Sequence, residues 1–334
     1  MATKVWLDCD TGSDDAVAIM LAALHPDIEL LAVSAVNGNV PLANTTENTL
    51  RVLDHVGAAV PVYAGAARPI VRPDFPIPRD VLNADHPEFQ LAHLDLPPSV
   101  TPVRDEPAAR ALIDAFMDPA NADAVLVATG PLTNVALALA AAPRLASRIS
   151  RLVLMGGACA GGNVTATAEF NLWVDPEAAR AVFSSGLPEI VVFPLDATFS
   201  APLTLDDCAA LDALGTRAGT AAAALVRHRI ERDRTPGNAG VSAPVHDPLC
   251  VVYLVRPDVV TSSGRWPVTV ETSGERTLGQ LVVDRRPWSP DPVNATVALS
   301  ASATVYREVL LEALAVDVRT DLSQRGASIG SSGR

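Results

Sequence analysis

The chain begins with a short apolar run, an acidic turn containing a glycine, and an apolar pattern of helical spacing. Residues 5–7 are apolar, residues 8–15 read DCDTGSDD, and apolar residues then recur at helical intervals through residues 16–24. This order predicts a β-strand, a tight turn at Gly12 and an α-helix. The acids of the turn therefore lie at the carboxyl end of a strand, where open α/β sheets bind ligands.

The turn carries four carboxylates within eight residues, namely Asp8, Asp10, Asp14 and Asp15. Neighbouring carboxylates repel one another by about 1 kcal/mol or more at ~4 Å unless a cation or ligand hydroxyls compensate. Oxygen ligands without Cys or His favour calcium or magnesium over zinc. The alternative is a helix N-terminus with solvated acids that complement the helix dipole.

Apolar runs of strand length alternate with Ala-rich helical stretches along most of the chain. The runs in its first two thirds are residues 29–36, 124–129, 151–155 and 190–195, and the helical stretches include 134–142 and 176–185. Further runs at 267–271, 278–284 and 295–300 follow a helical stretch that ends at 255, and a last helix is predicted at 303–314. This alternation predicts an α/β fold with a mostly parallel twisted sheet covered by helices.

The chain has 334 residues and is 49% hydrophobic, which is enough for a large core in one large or two medium domains. It has no internal repeat and no shift in composition that marks a domain boundary. We therefore predict one domain over residues 1–318. Residues 319–334 are polar and rich in Ser and Gly, and they are predicted to be a disordered tail.

The net charge is -13 and Lys4 is the only lysine, which disfavours nucleic acid or an anionic membrane as a partner. The four cysteines are widely spaced without a CxxC pair, which favours reduced thiols over a zinc site or disulfides. The first acids come too early for a signal peptide, and no apolar run approaches the ~20 residues of a membrane span. A cytoplasmic protein is expected.

Residues 64–107 break the alternation and are rich in proline. A long irregular segment of this kind is typical of a functional loop or lid, and a plain surface excursion is the alternative.

Four further segments place polar groups beside glycine or proline next to an apolar run. They are VATGPLTN from Val127, LMGG from Leu154, GNVTATAEFN from Gly162 and APVHDP from Ala243. The Thr129 carbonyl follows a strand and lies at the same sheet edge as the first acids. His246 and Asp247 precede Pro248 at a predicted helix start, where a helix cap beside a surface histidine is the alternative.

Taken together, these segments make the chain resemble the inosine-uridine nucleoside hydrolase family, the nucleoside N-ribohydrolases. The resemblance covers nearly the whole chain. Its marks are DxDxxxDD from Asp8, the VNGN turn ending at Asn39, TGPLTN, LMGG, AEFN from Ala168 and HDP from His246.

The resemblance implies a fold, an ion, a substrate pocket and an assembly. The fold would be one α/β domain around a mostly parallel sheet, and the chain would form a homodimer or homotetramer. The ion would be calcium, with ligands from Asp10, Asp15, the Thr129 backbone carbonyl and Asp247. The ribonucleoside pocket would be lined by Asp14, Asn39, Met155, Asn163, Glu169, Phe170, Asn171 and Asp247.

These residue types suit hydrolysis of an N-ribosidic bond to ribose and free base. The reaction passes through an electron-poor, oxocarbenium-like ribosyl group, which carboxylates and carbonyl dipoles stabilise. A calcium ion lowers the pKa of its water, and Asp10 would act as the general base that removes the proton. The leaving base departs more easily when protonated, and His246 would be the proton donor near neutral pH.

The remaining polar residues would recognise the sugar. Asp14, Asn171 and Asp247 would hold the 2′ and 3′ hydroxyls, while Asn163 and Glu169 would reach the 5′ hydroxyl. A site that hydrogen-bonds hydroxyls rejects analogues that lack them, so ribosides should be preferred to deoxyribosides.

The chain departs from the family pattern at two places, which leaves the base preference open. Where relatives often carry a His-Gly flap, it reads VLNADHPEFQ, with His86 but no following glycine. The helix before HDP often carries Tyr in relatives, but here it reads RHRIERDRTPGN from Arg227. The candidates to contact the base are His228, Arg232, Arg234 and Asn238, and a charged solvent-exposed face is the alternative for most of them.

Two other functions compete with hydrolysis. Residues 7–11 also match the DxDxT motif of haloacid-dehalogenase-like phosphatases, with Asp8 as nucleophile and Asp10 as acid. That chemistry usually needs a basic residue at the phosphate, and TGPLTN has none. The second competitor is a non-catalytic, calcium-dependent nucleoside-binding protein, although the chain keeps both Asp10 and His246.

Overall fold

The computed structural model describes residues 2–77, 90–232 and 240–316 of the chain. Within these residues the strands are β1 (Thr3–Cys9), β2 (Ile28–Ala35), β3 (Val62–Ala64), β4 (Val125–Ala128), β5 (Arg151–Met155), β6 (Ile190–Phe193), β7 (Leu203–Thr204), β8 (Ser242–Ala243), β9 (Val260–Trp266), β10 (Val268–Val270), β11 (Leu281–Val283) and β12 (Ala295–Ala301).

The helices are α1 (Ser13–Leu24), α2 (Leu42–Val56), α3 (Ala108–Met117), α4 (Thr133–Ala141), α5 (Phe170–Val174), α6 (Pro176–Phe183), α7 (Leu195–Phe199), α8 (Leu205–Ala213), α9 (Arg217–Arg232), α10 (Pro248–Val255) and α11 (Ala303–Leu314). Short 3₁₀ turns occupy Pro119–Asn121, Pro143–Ser147 and Pro257–Val259.

The central sheet has eight strands in the order β3-β2-β1-β4-β5-β6-β12-β9. All neighbouring pairs in it are parallel except β12 with β9, which is antiparallel. Two small antiparallel pairs, β10 with β11 and β7 with β8, lie outside it. The mostly parallel α/β fold predicted from the sequence is confirmed.

The inner strands form because their apolar side chains are buried on both faces of the sheet. In β1, Leu7 belongs to one hydrophobic core and Trp6 to another, and in β4 Val127 and Leu126 divide in the same way. Successive side chains of a strand point to opposite faces, so a continuous apolar run fills both helical layers.

The sheet brings several loops to one edge. Strand β1 ends directly before Asp10, and β4, its parallel neighbour, ends directly before Thr129. The two turns approach so closely that a Cβ on Gly130 would lie 2.9 Å from the Asp10 backbone nitrogen. The carboxyl ends of adjacent parallel strands therefore assemble the polar segments at one place, as expected for this class of sheet.

Strand β9 is one of the elements that the apolar pattern does not reveal. Its sequence VTSSGRW is largely polar and half exposed, because β9 is an edge strand paired on one side only. Edge strands face water along one side and do not need a continuous apolar run.

The described parts of the proline-rich region contain little regular structure and are held by specific contacts. The Ile70 amide donates to Asp175 at 2.9 Å, Arg72 pairs with Glu177, and the Phe75 ring packs edge-on against Phe170. Residues 66–77 are therefore attached to α5 and α6. The centre of the region, including His86, lies outside the described residues, as does the predicted tail.

Among the described residues, no helix combines the length and the apolar character needed to cross a membrane.

Candidate functional site

The first turn of α1 fixes the Asp15 carboxylate between three donors. Its Oδ2 accepts hydrogen bonds from the Gly12 amide at 3.0 Å and from Asn39 Nδ2 at 3.3 Å, and its Oδ1 accepts one from Thr129 Oγ1 at 2.9 Å. The contact with Thr129 links the ends of β1 and β4. Asp15 is thus a buried carboxylate with a set orientation.

Asp10 lies beside it and is held by the VNGN turn. Its Oδ2 accepts a hydrogen bond from the Asn39 amide at 2.6 Å, and Gly38 approaches so closely that a Cβ there would lie 2.0 Å from the same oxygen. Burial, together with the charge of Asp15, raises the pKa of Asp10 well above its usual value.

The carboxylates of Asp14, Asp15 and Asp247 form a buried cluster whose ligand atoms lie within 4.8 Å of one another. Burial and the charge of Asp14 raise the pKa of Asp15 to about 7. The pKa of Asp247 is raised well above its usual value, by burial and by the charges of Asp14, Asp15 and Asp10. Because the donors are all oxygens and repel one another, the cluster fits a divalent cation such as calcium or magnesium.

The AEFN block is hydrogen-bonded to the ends of β4 and β5. Asn171 Nδ2 donates to the Thr129 carbonyl at 2.7 Å and to the Met155 carbonyl at 3.2 Å. Glu169 caps α5 and accepts hydrogen bonds from the amides of Asn171 and Gly157, both at 2.9 Å. Burial raises the pKa of Glu169 to about 7, although these amides favour its ionised form.

Asn163 and Phe170 are joined to each other. Asn163 Oδ1 accepts a hydrogen bond from the Phe170 amide at 3.1 Å. The Phe170 ring in turn packs against Phe75 of the proline-rich region, with ring centroids 6.0 Å apart. The two residues therefore connect the AEFN block to the segment that leads into residues 78–89.

His246 is buried beside the acidic cluster. Its Nδ1 lies 2.7 Å from Thr198 Oγ1, and its ring packs edge-on against Phe199. Burial, followed by the nearby positive charge of Arg229, lowers the pKa of His246 to about 3. The imidazole is therefore neutral at pH 7, and Nε2 is the ring nitrogen not bonded to Thr198.

Arg229 on α9 brings a positive charge into the site. Its Nη1 lies 3.3 Å from Asp14 Oδ2, and its Nε donates to the Pro244 carbonyl at 2.6 Å. Sequence reasoning missed this residue, because the RHRIERDR run gives no signal to separate a buried arginine from its exposed neighbours.

Comparison with known proteins identifies the family. The model of the inosine-uridine preferring nucleoside hydrolases matches residues 5–308. The chain belongs to this family. A relative from Shewanella oneidensis, named pyrimidine-specific ribonucleoside hydrolase RihA, is 38% identical over 97% of this chain and 100% of its own. An Escherichia coli protein of the same name is 37% identical over 94% of this chain and 99% of its own.

Solved structures of nucleoside hydrolases are similar to the structure of this chain. A purine-preferring ribonucleoside hydrolase from Gardnerella vaginalis superposes with a TM-score of 0.83 at 31% identity, covering 94% of this chain and 98% of that one. An inosine-guanosine nucleoside hydrolase gives a TM-score of 0.80 at 28% identity, over 94% and 99% of the two chains. This hydrolase is therefore an enzyme that acts on N-glycosyl bonds of ribonucleosides.

The structure of the hydrolase brings the predicted site residues to one edge of the sheet. Asn39 donates hydrogen bonds to both Asp10 and Asp15, and Thr129 donates to Asp15. Asn171 donates to the carbonyls of Thr129 and Met155. The acidic cluster includes Asp14 beside the predicted ligands Asp15 and Asp247. The ligand set with Asp10 and the Thr129 carbonyl stays a prediction.

The phosphatase interpretation is wrong, because the family is that of the nucleoside hydrolases. The position of Asp8 agrees with this, since its Oδ1 accepts hydrogen bonds from the Ser34 hydroxyl on β2 and from Asn134 Nδ2 on α4. Asp8 thus stabilises the contact between β1, β2 and α4 and does not belong to the acidic cluster of Asp14, Asp15 and Asp247.

Of the four residues predicted to contact the base, two lie in the described part of the structure. His228 and Arg232 lie on α9 and are half buried. Arg234 and Asn238 lie outside the described residues.

The sequence also did not indicate Thr198, which is hydrogen-bonded to His246. Nothing in the apolar run before Thr198 predicts this long-range contact.

We expect the Gly38→Ala substitution to disturb the site while the fold persists. The new Cβ would lie 2.0 Å from Asp10 Oδ2, so the Asp10 carboxylate or the turn must move. A misplaced reacting group can cost about 10²-fold in rate, and we expect kcat for a ribonucleoside to fall to that extent. Gly161→Ala is the control, since the nearest atom to its new Cβ lies 4.0 Å away. Equal rates for the two variants would contradict the placement of Asp10 in the reaction.

Proposed function

We propose that this protein hydrolyses the N-ribosidic bond of ribonucleosides with the help of a bound calcium ion. The buried cluster of Asp14, Asp15 and Asp247 supports this proposal most directly, since it provides only oxygen donors and brings three carboxylates together, of which Asp14 pairs with Arg229. The ligands would be Asp10, Asp15, Asp247 and the Thr129 carbonyl.

When bound, the cation would supply Lewis acidity toward a water molecule. Asp10 takes a proton from the attacking water at a carboxylate oxygen, and its contact with the Asn39 amide keeps that carboxylate in position. The surrounding carboxylates favour the positive charge that develops on the ribosyl group.

Asp14, Asn171 and Asp247 bind the 2′ and 3′ hydroxyls of the ribose, while Glu169 and Asn163 bind the 5′ hydroxyl. Met155, Asn39 and Phe170 complete the pocket. The three backbone amides that bond Glu169 support this role, because they hold its carboxylate in one orientation.

His246 donates a proton to the leaving base. Because Nδ1 is hydrogen-bonded to Thr198, Nε2 is the ring nitrogen that serves the base. The proton comes from the imidazolium form, which burial and Arg229 disfavour and the charge of Asp14 favours, and donation returns His246 to the neutral imidazole. This donor helps only leaving groups that gain from protonation.

Pyrimidine ribonucleosides are the preferred substrates under this proposal. The supporting observation is similarity, since the relatives named pyrimidine-specific share 37–38% identity with the chain and the purine-preferring structure shares 31%. We expect kcat/KM to be higher for uridine and cytidine than for inosine and guanosine. Binding without turnover across this panel would favour a non-catalytic nucleoside-binding protein instead.

The protein also forms a homodimer or homotetramer under this proposal, which rests on the family alone. Sedimentation at micromolar concentration is expected to give a species of at least twice the chain mass of 34.8 kDa. A single species of the chain mass would contradict it.

Removal of the ion should lower activity and stability together. A ligand that binds only the folded state stabilises it, by about 4 kcal/mol at 1,000 times its Kd. We expect protein stripped with a chelator to lose at least about 10²-fold in kcat, the usual worth of activating the reacting water, and to unfold at a lower Tm. Calcium should restore both. Full activity in protein that elemental analysis finds free of calcium and magnesium would contradict the proposal.

A further inference from the structure

Arg229 is a buried cation, and two of its contacts lie beside the acidic cluster. Only 9% of its surface is exposed, its Nη1 lies 3.3 Å from Asp14 Oδ2, and its Nε donates to the Pro244 carbonyl at 2.6 Å. Taking a guanidinium out of water costs several kcal/mol unless it is paired. The contact with Pro244 attaches Arg229 to the segment between β8 and α10, which also carries Asp247.

Asp14 has two possible partners in this arrangement. Its carboxylate belongs to the cluster with Asp15 and Asp247, so a cation bound there would attract it as a further ligand. The proposed function instead needs Asp14 for a ribose hydroxyl. The guanidinium of Arg229 offers Asp14 a charge partner that is not the cation.

We propose that Arg229 is a positioning residue, which keeps the Asp14 carboxylate from binding the cation and so leaves it available to the ribose. The role given to Asp14 rests on the proposed function, whereas the ion pair and the anchor on Pro244 do not. Arg229 also reduces the negative charge that the cation meets, and it thereby limits the affinity of the site for the ion.

Two substitutions of Arg229 separate the effect of its positive charge from the effect of its hydrogen-bond geometry. Arg229→Gln removes the charge, whereas Arg229→Lys keeps the charge but loses the forked contact with Asp14 and Pro244. Arg227→Gln is the matched control, because Arg227 lies on the same helix and pairs on the surface with Asp212 at 2.7 Å.

Calcium binding to chelator-stripped protein, measured by calorimetry, tests the effect on the ion. We expect Arg229→Gln to bind calcium about tenfold tighter or more, because it removes a buried positive charge near the cluster. Arg229→Lys and Arg227→Gln should stay near wild type. With uridine as substrate, Arg229→Gln should raise KM more than it lowers kcat, because it weakens binding of the ribose more than it slows the chemical step.

Thermal unfolding in chelator tests the ion pair without any ion or substrate. Arg229→Gln should lower the Tm by about 4 °C or more, because it breaks the buried ion pair with Asp14 by removing one partner. Adding Asp14→Asn to it should restore part of this loss, whereas Arg227→Gln should leave the Tm unchanged.

An Arg229→Gln protein that matches Arg227→Gln in calcium affinity and in Tm would overturn the inference. If the wild type binds no calcium, the proposed function fails separately, and the unfolding experiment then decides. In that case a double variant no more stable than Arg229→Gln also overturns the inference.

Discussion

Replacing Asp10 by asparagine is expected to lower kcat for a ribonucleoside by about 10³-fold or more, because it removes a positioned general base and weakens the hold on the ion. The amide has nearly the volume of the carboxylate and can keep the contact with the Asn39 amide through its oxygen. The fold and substrate binding should therefore persist. Single-turnover rates and calorimetric binding of the same substrate would measure chemistry and binding separately.

The matched control for Asp10→Asn is Asp212→Asn, which makes the same chemical change in a surface ion pair with Arg227. This control should leave kcat unchanged, since the pair is exposed to solvent and surface pairs contribute about 0–1 kcal/mol. An Asp10→Asn protein that binds calcium and retains more than about a tenth of wild-type turnover would mean that another group takes the proton, because a positioned base is worth about 10²-fold or more.

His246→Ala is expected to slow hydrolysis of uridine or inosine by about 10²- to 10⁴-fold, the usual worth of general acid catalysis. The effect should depend on the leaving group. A nitrophenyl riboside releases a stable anion that needs no proton, so His246→Ala should slow its hydrolysis far less. The ion, Asp10 and the ribose contacts serve both substrates, and the ratio of the two losses therefore isolates proton donation.

Thr198→Val provides a control for the orientation of His246, since it removes the hydroxyl that contacts Nδ1 and nearly keeps the side-chain shape. It should reduce uridine hydrolysis less than His246→Ala does, and with the same dependence on the leaving group. Equal losses on both substrates in His246→Ala would mean that the histidine supports Asp247 or the fold instead.

The sequence predicted those parts of the fold and site that depend on local pattern. The strand, acidic turn and helix of the first 24 residues are present as β1 and α1, because apolar periodicity and Gly12 act over short distances. The motifs after β4 and β5 could also be placed at one sheet edge, since adjacent parallel strands end together. Strand β9 could not be found in this way, because it is polar and paired on one side.

Contacts between segments that are distant along the chain could not be predicted from the sequence. The pairing of Arg229 with Asp14 joins α9 to α1, and the bond from Thr198 to His246 joins α7 to the turn before α10. Nothing in the local composition distinguishes buried Arg229 from surface Arg227, since only the packing of α9 decides which of them faces the acids. Long-range electrostatic contacts of this kind require the folded structure.

The fate of uridine in water labelled with heavy oxygen tests the central claim most directly. The account predicts free uracil and ribose that carries the label on its anomeric carbon, with no requirement for phosphate and with a rate that falls in Asp10→Asn. Mass spectrometry of the two products measures this. Cleavage that requires phosphate and yields unlabelled ribose 1-phosphate, or uridine that is bound by the calcium-loaded protein and recovered intact, would contradict it.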